Sequence, residues 1–345
     1  MSDTATLRKL PIKVLKARAA YHGIATPAGH KGKKDTWIAA IQQAEESGGR
    51  WKPDVEAEWE VLEGRMGVGR HYHTAAVHGG TICAVGGEDS PDTVEVYNTT
   101  TKVWSELPLA GGGMSRARNF SASAVYKGKL YVVCGRTGMF GGERLRSVEV
   151  YDFATQQWSP LPTEMATARR SHGCVVCEDK LYVAGGGDAE ETVLDSVEVY
   201  DFATETWSVL PALMPQGRTA ISNAVVQHKG KVYVVGGYDE GEYLQSVAVY
   251  DIVAEAWSVL PTEMMVHRSD HTAVVHGNKI YVLGGADEAY TSLRSMEVYD
   301  IAAGEWSIVS VEMHVPRRSV AAAVHGDNLY AIGGYGTDAR RTMEV

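Results

Sequence analysis

The stretch LYVAGGGDAEETVLDSVEVYDFATETWSVLP, residues 181–211, contains the pattern that decides the fold. An apolar run ends in glycines, a polar loop follows, and V-E-V-Y-D, a short turn and W-S-x-L-P complete the unit. The pattern occurs six times, at steps of 49, 50, 51, 48 and 49 residues between the first glycines of successive apolar runs. Those glycines are Gly86, Gly135, Gly185, Gly236, Gly284 and Gly333. A fixed period near fifty residues indicates a repeat architecture.

These landmarks, recurring in order over residues 57–345, resemble the kelch repeat. The resemblance implies an all-β fold, a six-bladed β-propeller in which each unit is a four-stranded antiparallel sheet. Such a sheet buries both faces only between two neighbours, which explains an apolar run where a half-exposed strand would alternate. We expect the recurring tryptophans to fill the space between blades. They are Trp104, Trp158, Trp207, Trp257 and Trp306.

The two ends of the repeat region predict how the ring closes. The sixth unit stops at T-M-E-V, residues 342–345, without a fourth strand. Upstream, E-W-E-V-L at residues 58–62 matches the W-x-x-L of a fourth strand. We therefore expect residues 57–63 to complete the last blade, which removes the exposed sheet edges of an open ring.

The first 45 residues differ in charge from the rest. Residues 1–44 carry eight basic and two acidic side chains, 8 − 2 = +6, within a chain of net charge −10. Two helical patterns flank a Gly- and Lys-containing loop, with H-G-I closing the first and G-x-K opening the second. This arrangement over residues 1–45 resembles the SAP motif, a nucleic-acid-binding helix–loop–helix. Residues 46–56 are predicted to form a linker.

In the SAP interpretation, basic side chains of the first 44 residues contact nucleic-acid phosphates. The candidates are Lys13, Arg18, Lys31, Lys33 and Lys34. The alternative is a basic tail, or an anchor for another protein.

Cysteine usage and hydropathy place the chain in the cytoplasm or nucleus. Four cysteines in 345 residues do not indicate a disulfide framework. Cys174 and Cys177 form C-x-x-C, but within an apolar strand, where residues three apart point to opposite faces. The sequence has no signal-peptide pattern and no apolar run of membrane-spanning length. No membrane association and no cofactor are predicted.

The kelch resemblance also implies that two sets of loops share one mouth of the propeller. The first set carries an arginine in every blade: Arg70, Arg118, Arg169, Arg218, Arg268 and Arg317. One interpretation is an arginine-lined mouth that binds an acidic peptide or an anion, since guanidinium binds carboxylates bidentately. The other is structural, with each arginine paired to an acid of a neighbouring loop. Further candidates for this face are His73, Asn119, Arg136, His172, Tyr238, Asp270, His271 and Tyr335.

Histidines three residues after the arginine occur only in alternate blades, as His73, His172 and His271. Three histidines are a known zinc set, but zinc needs nitrogens at roughly 2.0–2.1 Å and a propeller channel is expected to be wider. No metal site is therefore predicted.

Two classes of function remain open. The favoured one is a non-catalytic scaffold that binds a protein or peptide at the propeller mouth, with possible tethering to nucleic acid by the basic segment. The alternative is a propeller enzyme, such as an epimerase, isomerase or lyase acting on a sugar or small acid at the channel mouth. No catalytic motif stands out. A deep pocket favours the enzyme, whereas a broad, shallow face favours peptide binding.

Overall fold

The computed structural model describes residues 58–345, apart from 109–112, 139–140 and 337–338, together with Ile38. The predicted SAP-like segment and linker otherwise lie outside the described residues, so their boundaries and their nucleic-acid contacts stay predictions. The described repeat region folds as an all-β propeller of six blades. The sequence predicted this architecture correctly.

Each of the first five blades is a four-stranded antiparallel meander, and blade 4 carries an additional two-stranded hairpin in a loop. Blade 1 contains β1 (Thr74–His78), β2 (Thr81–Val85), β3 (Val94–Asn98) and β4 (Val103–Glu106); blade 2 contains β5 (Ala122–Tyr126), β6 (Lys129–Val133), β7 (Val148–Asp152) and β8 (Gln157–Pro160); blade 3 contains β9 (Gly173–Cys177), β10 (Lys180–Ala184), β11 (Val197–Asp201) and β12 (Thr206–Val209); blade 4 contains β13 (Val225–His228), β14 (Lys231–Val235), the hairpin β15 (Tyr238–Asp239) and β16 (Glu242–Tyr243), β17 (Val247–Asp251) and β18 (Ala256–Val259); blade 5 contains β19 (Thr272–His276), β20 (Lys279–Leu283), β21 (Met296–Asp300) and β22 (Glu305–Val309); blade 6 contains β23 (Ala321–His325), β24 (Asn328–Ile332) and β25 (Met343–Glu344).

The blades form a closed circle around a central channel. The first strand of each blade contacts the first strands of both neighbours, including β1 with β23 across the ends of the chain. The second strands are buried on both faces, as in β2, where Ile82 to Val85 are fully buried. The continuous apolar runs of the sequence therefore reflect sheets covered on two sides.

The tryptophans of the fourth strands lie between blades, as predicted. Each packs on the tyrosine opposite it on the third strand, for example Tyr200 and Trp207 with ring centroids 5.1 Å apart. The indole of Trp207 also donates a hydrogen bond to the carbonyl of Thr163, which follows the fourth strand of blade 2. This contact fixes the spacing of adjacent blades at the outer edge.

Residues near the start of the described region complete blade 6, which confirms the predicted closure. The backbone N–H of Glu60 donates to the carbonyl of Val345 at 2.8 Å, and the N–H of Val345 donates to the carbonyl of Glu60 at 2.9 Å. The N–H of Leu62 donates to the carbonyl of Met343. Trp59 and Leu62 are buried. The last blade therefore uses both ends of the repeat region.

The glycine pairs allow the close packing at the end of each second strand. Gly185 has φ +64°, and a Cβ there would lie 2.3 Å from the carbonyl oxygen of Arg218 in the next blade. Gly186 has φ +94°, and a Cβ added there would lie 2.8 Å from the Cβ of His172. The second glycine therefore makes room for a side chain of its own blade, whereas the first makes room for the backbone of the next blade.

The C-x-x-C pair does not bring its two sulfurs together. Cys174 and Cys177 are both buried and free. Cys174 packs into the core between blades 2 and 3, and Cys177 packs into the core between blades 3 and 4. The prediction of opposite faces is confirmed. The described residues contain no helix long and apolar enough to cross a bilayer.

Candidate functional site

The six repeated arginines lie inside the blades, which corrects their interpretation as a solvent-facing ring. Each is at most 1% exposed, so its guanidinium cannot meet a ligand at the mouth. In blade 3, Arg169 donates to the carbonyl oxygens of Gly185 and Ser196, both at 2.9 Å. It also pairs with Glu198 at 3.1 Å. The arginines that share these positions are Arg70, Arg118, Arg169, Arg218, Arg268 and Arg317.

In five of the six blades the arginine pairs with an acid from the third strand of its own blade, not with one from a neighbouring loop. This acid is the glutamate of the V-E-V-Y pattern. In blade 5, Glu297 is fully buried, pairs with Arg268 at 3.0 Å and accepts hydrogen bonds from the backbone N–H groups of Met265 and Val266. The same arrangement occurs in five blades, with Glu95, Glu149, Glu198, Glu297 and Glu344.

Replacing Glu297 with alanine is expected to lower the free energy of unfolding by about 3–5 kcal/mol, because Arg268 would remain buried without its counter-charge. Urea unfolding followed by tryptophan fluorescence measures this loss. Glu312→Ala, at an exposed position, is the control and is expected to change stability by less than about 0.5 kcal/mol. Equal effects of the two substitutions would contradict a structural role for the buried pair.

The three alternate histidines are buried between blades rather than gathered around the channel. His73 packs against Gly333 of blade 6, and His271 packs against Gly236 of blade 4. Burial, followed by the charge of the nearby repeat arginine, lowers the pKa of His73, His172 and His271 to about 3. No cluster of three metal-ligating side chains occurs among the described residues. These histidines are neutral and fill space between blades. The prediction that His73, His172 and His271 contact a ligand is therefore corrected.

An inner ring of left-handed residues surrounds the channel at the mouth. These residues come two positions after each repeat arginine and have φ values between 50° and 57°. They are Tyr72, Phe120, Ser171, Ala220, Asp270 and Ser319. Backbone hydrogen bonds join four of the six neighbouring pairs, for example from the N–H of Phe120 to the carbonyl of Tyr72 at 3.0 Å. This ring fixes the positions of six side chains of five different types.

Asn223 closes the channel just below the inner ring. Its side-chain amide donates to the carbonyl oxygens of His73, at 3.0 Å, and Val320, at 3.3 Å, which lie in blades 1 and 6. Its own carbonyl accepts the N–H of Ala273. A cavity of about 390 Å³ continues from Asn223 between the first strands, away from the inner ring. A ligand approaching this mouth therefore meets a floor instead of a deep pocket.

A continuous belt of aromatic and arginine side chains crosses the mouth above this floor. We call it the aromatic–arginine belt, and its members in spatial order are Tyr290, Arg318, Tyr335, His71, Tyr72, Phe120, Arg136 and Arg170. The Arg318 guanidinium carbon lies 4.3 Å from the ring centroid of Tyr290 and 3.9 Å from that of Tyr335. Tyr72 and Phe120 are 4.0 Å apart by ring centroid. His71 and Phe120 are buried within the belt, so its accessible surface comes from the other six side chains, which combine aromatic faces with fixed positive charge.

Several arginines of this surface are incompletely hydrogen-bonded. The Nε atoms of Arg136, Arg144, Arg170 and Arg318 are buried and have no partner within the described residues, so a ligand could reach only their Nη donors. Arg144 and Arg170 share Glu191, with Arg170 at 2.6 Å. For Arg136 the described residues offer neither an ion pair nor a side-chain hydrogen bond. Burial and the charges of Arg170 and Arg144 lower the pKa of Arg136. This direction is expected for a guanidinium that lies close to other cations and has few acidic neighbours.

Asp270 is an acid on the floor between the two ends of the belt. Burial raises its pKa to about 6, while Arg318 and Arg170 act in the opposite direction. No ion pair fixes its carboxylate to either arginine in the described part of the chain. The Asp270 carboxylate therefore offsets part of the positive charge of the belt but does not neutralise it.

Of the predicted site residues, Arg136, Asp270 and Tyr335 lie at the mouth. Tyr238 is half-buried in the hairpin, where its ring packs on Tyr243 with centroids 5.2 Å apart. Asn119 is 3% exposed and exchanges backbone hydrogen bonds with Arg136, so its side chain contributes little surface. Sequence analysis missed belt members that follow the repeat arginines directly, namely His71, Tyr72 and Arg318. Their signal was available, since these positions vary between blades while the arginine does not.

The strand order, the closing segment and the buried arginine–glutamate pairs define a kelch-type β-propeller. The chain matches the family model described as the KLHDC2/KLHL20/DRC7 Kelch-repeats domain over residues 51–186 and 163–334, and it belongs to this kelch-repeat family. Its structure is similar to "Structure of YjhT", with a TM-score of 0.68 and 18% sequence identity, covering 81% of this chain and 94% of that one. That likeness concerns the fold alone.

Curated relatives match parts of the chain. Spermatocyte protein spe-26 of Caenorhabditis elegans is 24% identical over 53% of this chain and 32% of its own length. Beta-scruin of Limulus polyphemus is 30% identical over 45% of this chain and 18% of its own length. Kelch domain-containing protein 10 of Xenopus laevis is 28% identical over 49% and 42%. The chain thus covers less than half the length of each of these relatives.

Proposed function

We propose that this protein is a non-catalytic binding scaffold whose aromatic–arginine belt holds an acidic, extended segment of a partner protein. The observation that carries the proposal is the pair of partly exposed belt arginines, Arg136 and Arg318, which lie beside aromatic faces and have no ion-pair partner among the described residues. Carboxylates of a bound chain would accept charge-assisted hydrogen bonds from the Nη donors of these arginines. The aromatic faces would cover the apolar parts of the same chain.

The closed floor supports binding over catalysis at this mouth. An enzyme acting on a sugar or small acid needs a concave pocket that buries most of its substrate. Asn223 occupies the place where such a pocket would open. A partner chain laid across the belt needs no such depth. Location in the cytoplasm or nucleus, and nucleic-acid binding through residues 1–44, stay predictions from sequence.

The double substitution of Arg136 and Arg318 with alanine is expected to weaken binding of acidic peptides at least tenfold, because each lost charged hydrogen bond is worth about 1.5–3 kcal/mol. Fluorescence anisotropy with labelled twelve-residue peptides rich in Asp and Glu, compared with Lys-rich versions, measures the affinity. Arg146→Ala is the matched control, since Arg146 is exposed and pairs with Glu164 outside the belt.

The affinity of the acidic peptides is also expected to fall as salt concentration rises. Equal binding of acidic and basic peptides, or an unchanged affinity of the double variant, would refute the belt as the binding surface. An arginine-to-lysine exchange at both positions retains the charge but removes the planar donors, and is expected to recover only part of the affinity.

A further inference from the structure

Blade 4 lacks the buried acid that pairs with the repeat arginine in the other five blades. Ala248 occupies the glutamate position, since it lies opposite Val234 and Val259 just as Glu198 of blade 3 lies opposite Val183 and Val209. Ala248 is fully buried. Arg218 therefore faces an alanine where its five counterparts face a carboxylate.

Arg218 is nevertheless held in the same place as its counterparts. It donates to the carbonyl oxygens of Gly236 and Ser246, each at 2.9 Å, and to the Ser246 hydroxyl at 2.8 Å. Arg169 makes the equivalent three bonds in blade 3, all at 2.9 Å. The guanidinium of Arg218 is 1% exposed, and its Nε has no partner among the described residues.

The loop that would donate to the missing acid has changed as well. In blade 3 the backbone N–H groups of Ala166 and Thr167 donate to Glu198. The equivalent positions in blade 4 are Pro215, which has no N–H, and Gln216. One donor and the acceptor are thus both absent. The Nε of Arg218 and the N–H of Gln216 remain as donors at the positions that, in blade 3, donate to Glu198.

We propose that blade 4 contains a buried site for a small carboxylate anion, of the size of formate or acetate, which binds to Arg218 in the place of the missing glutamate. A glutamate side chain exceeds that of alanine by one methylene and one carboxylate group, which together are an acetate. The position that the glutamate carboxylate occupies in the other five blades therefore matches such an anion in size and in donors. Asp239 acts on Arg218 through its charge, but its carboxylate accepts a hydrogen bond from the side chain of Gln216.

A charged ligand fits this space better than water does. Water completes hydrogen bonds but leaves a buried guanidinium without a counter-charge, which is the costly part of such a site. A carboxylate supplies both, with two oxygens that match the Nε and Nη2 geometry of arginine. The site lies within the blade and is independent of the aromatic–arginine belt.

Thermal unfolding in formate or acetate tests the proposal, with sodium gluconate as a bulky reference anion at constant ionic strength. The midpoint of the full chain is expected to rise with formate or acetate, by about 2 °C per tenfold increase above half-saturation. In Ala248→Glu, which installs the tethered carboxylate, this response is expected to disappear. Ala248→Gln fills the same space without charge and serves as the second variant.

Isothermal titration of the unmodified protein with formate is expected to show one site. Absence of binding, or a formate response that persists in both Ala248 variants, would overturn the proposal. A stronger stabilisation by chloride than by either carboxylate would also overturn it, since it would indicate a spherical-anion site. Arg136→Ala with Arg318→Ala is expected to keep the full formate response, which separates this site from the peptide-binding surface.

Discussion

Removal of residues 1–63 is expected to abolish cooperative folding of the propeller. The truncation deletes the segment that pairs with Met343 and Val345, and it removes the buried side chains of Trp59 and Leu62. Blade 6 would then consist of two full strands and a two-residue edge, with the core between blades 5 and 6 open to water. Loss of the Trp59 side chain alone is expected to cost about 3–5 kcal/mol.

Near-UV circular dichroism during heating, together with size-exclusion chromatography, measures this effect. Deletion of residues 1–56 is the matched control, because it retains Trp59, Leu62 and every closing hydrogen bond. The shorter deletion is expected to leave the melting transition in place, whereas the longer one gives aggregated or poorly folded protein through the exposed edge of β25. A 1–63 deletion that melts as sharply as the full chain would contradict closure by this segment.

The closure was predictable because it depends on a local pattern that the chain repeats. The last unit stops at its third strand, and a W-x-x-L motif upstream matches the missing fourth strand. The pairing of the two can therefore be predicted without any structural information. The same holds for the blade count and for the buried second strands, which follow from a repeated apolar run. Each of these features depends on the sequence of a single repeat unit of about fifty residues.

The role of the repeat arginines was not predictable in the same way. In V-E-V-Y the glutamate stands between apolar residues, which on a half-exposed sheet would place it toward water. In a propeller both faces are covered, so Glu198 points into the blade and its charge requires Arg169. Substitution of Arg268 and Arg317 would therefore remove buried ion pairs and destabilise the blades, and it would not test ligand binding.

The aromatic–arginine belt depends on which blades are neighbours around the circle. Tyr335 of blade 6 contacts His71 of blade 1, although 264 positions separate them by their numbers, 335 − 71. Asn223 closes the channel by reaching His73 across the ring. Such contacts come from the geometry of the closed ring, and neither composition nor spacing within one unit predicts them.

Acidification from pH 7 to pH 4 is expected to unfold the propeller through its buried histidines. The pKa of His73, His172 and His271 is about 3 in the folded protein and about 6.5 in an unfolded chain. The folded state therefore binds fewer protons between these values. The stability from neutral burial is complete above pH 6.5 and is lost as the pH falls toward 3.

The size of this effect approaches the whole stability of a typical domain. A shift of one pKa unit corresponds to about 1.4 kcal/mol. Each histidine therefore lowers the free energy of unfolding by on the order of 3 kcal/mol at pH 4. Three such groups together lower it by on the order of 10 kcal/mol, whereas the total free energy of unfolding of a typical domain is about 5–15 kcal/mol. Asp270 acts in the opposite direction. Its folded pKa of about 6 lies above its ordinary value, so acidification favours the folded state at that one group.

Blade 4 suggests the variant that isolates the histidine contribution, because Ile221 stands there at the histidine position and is fully buried. His172→Ile is expected to remove one of the protons taken up on unfolding, which reduces the slope of unfolding free energy against pH by up to about 1.4 kcal/mol per pH unit between pH 6 and 4. Urea titrations at half-unit pH intervals give this slope for both proteins. A stability that is constant from pH 7 to 4, or a slope that the substitution leaves unchanged, would show that these imidazoles accept protons within the folded blades.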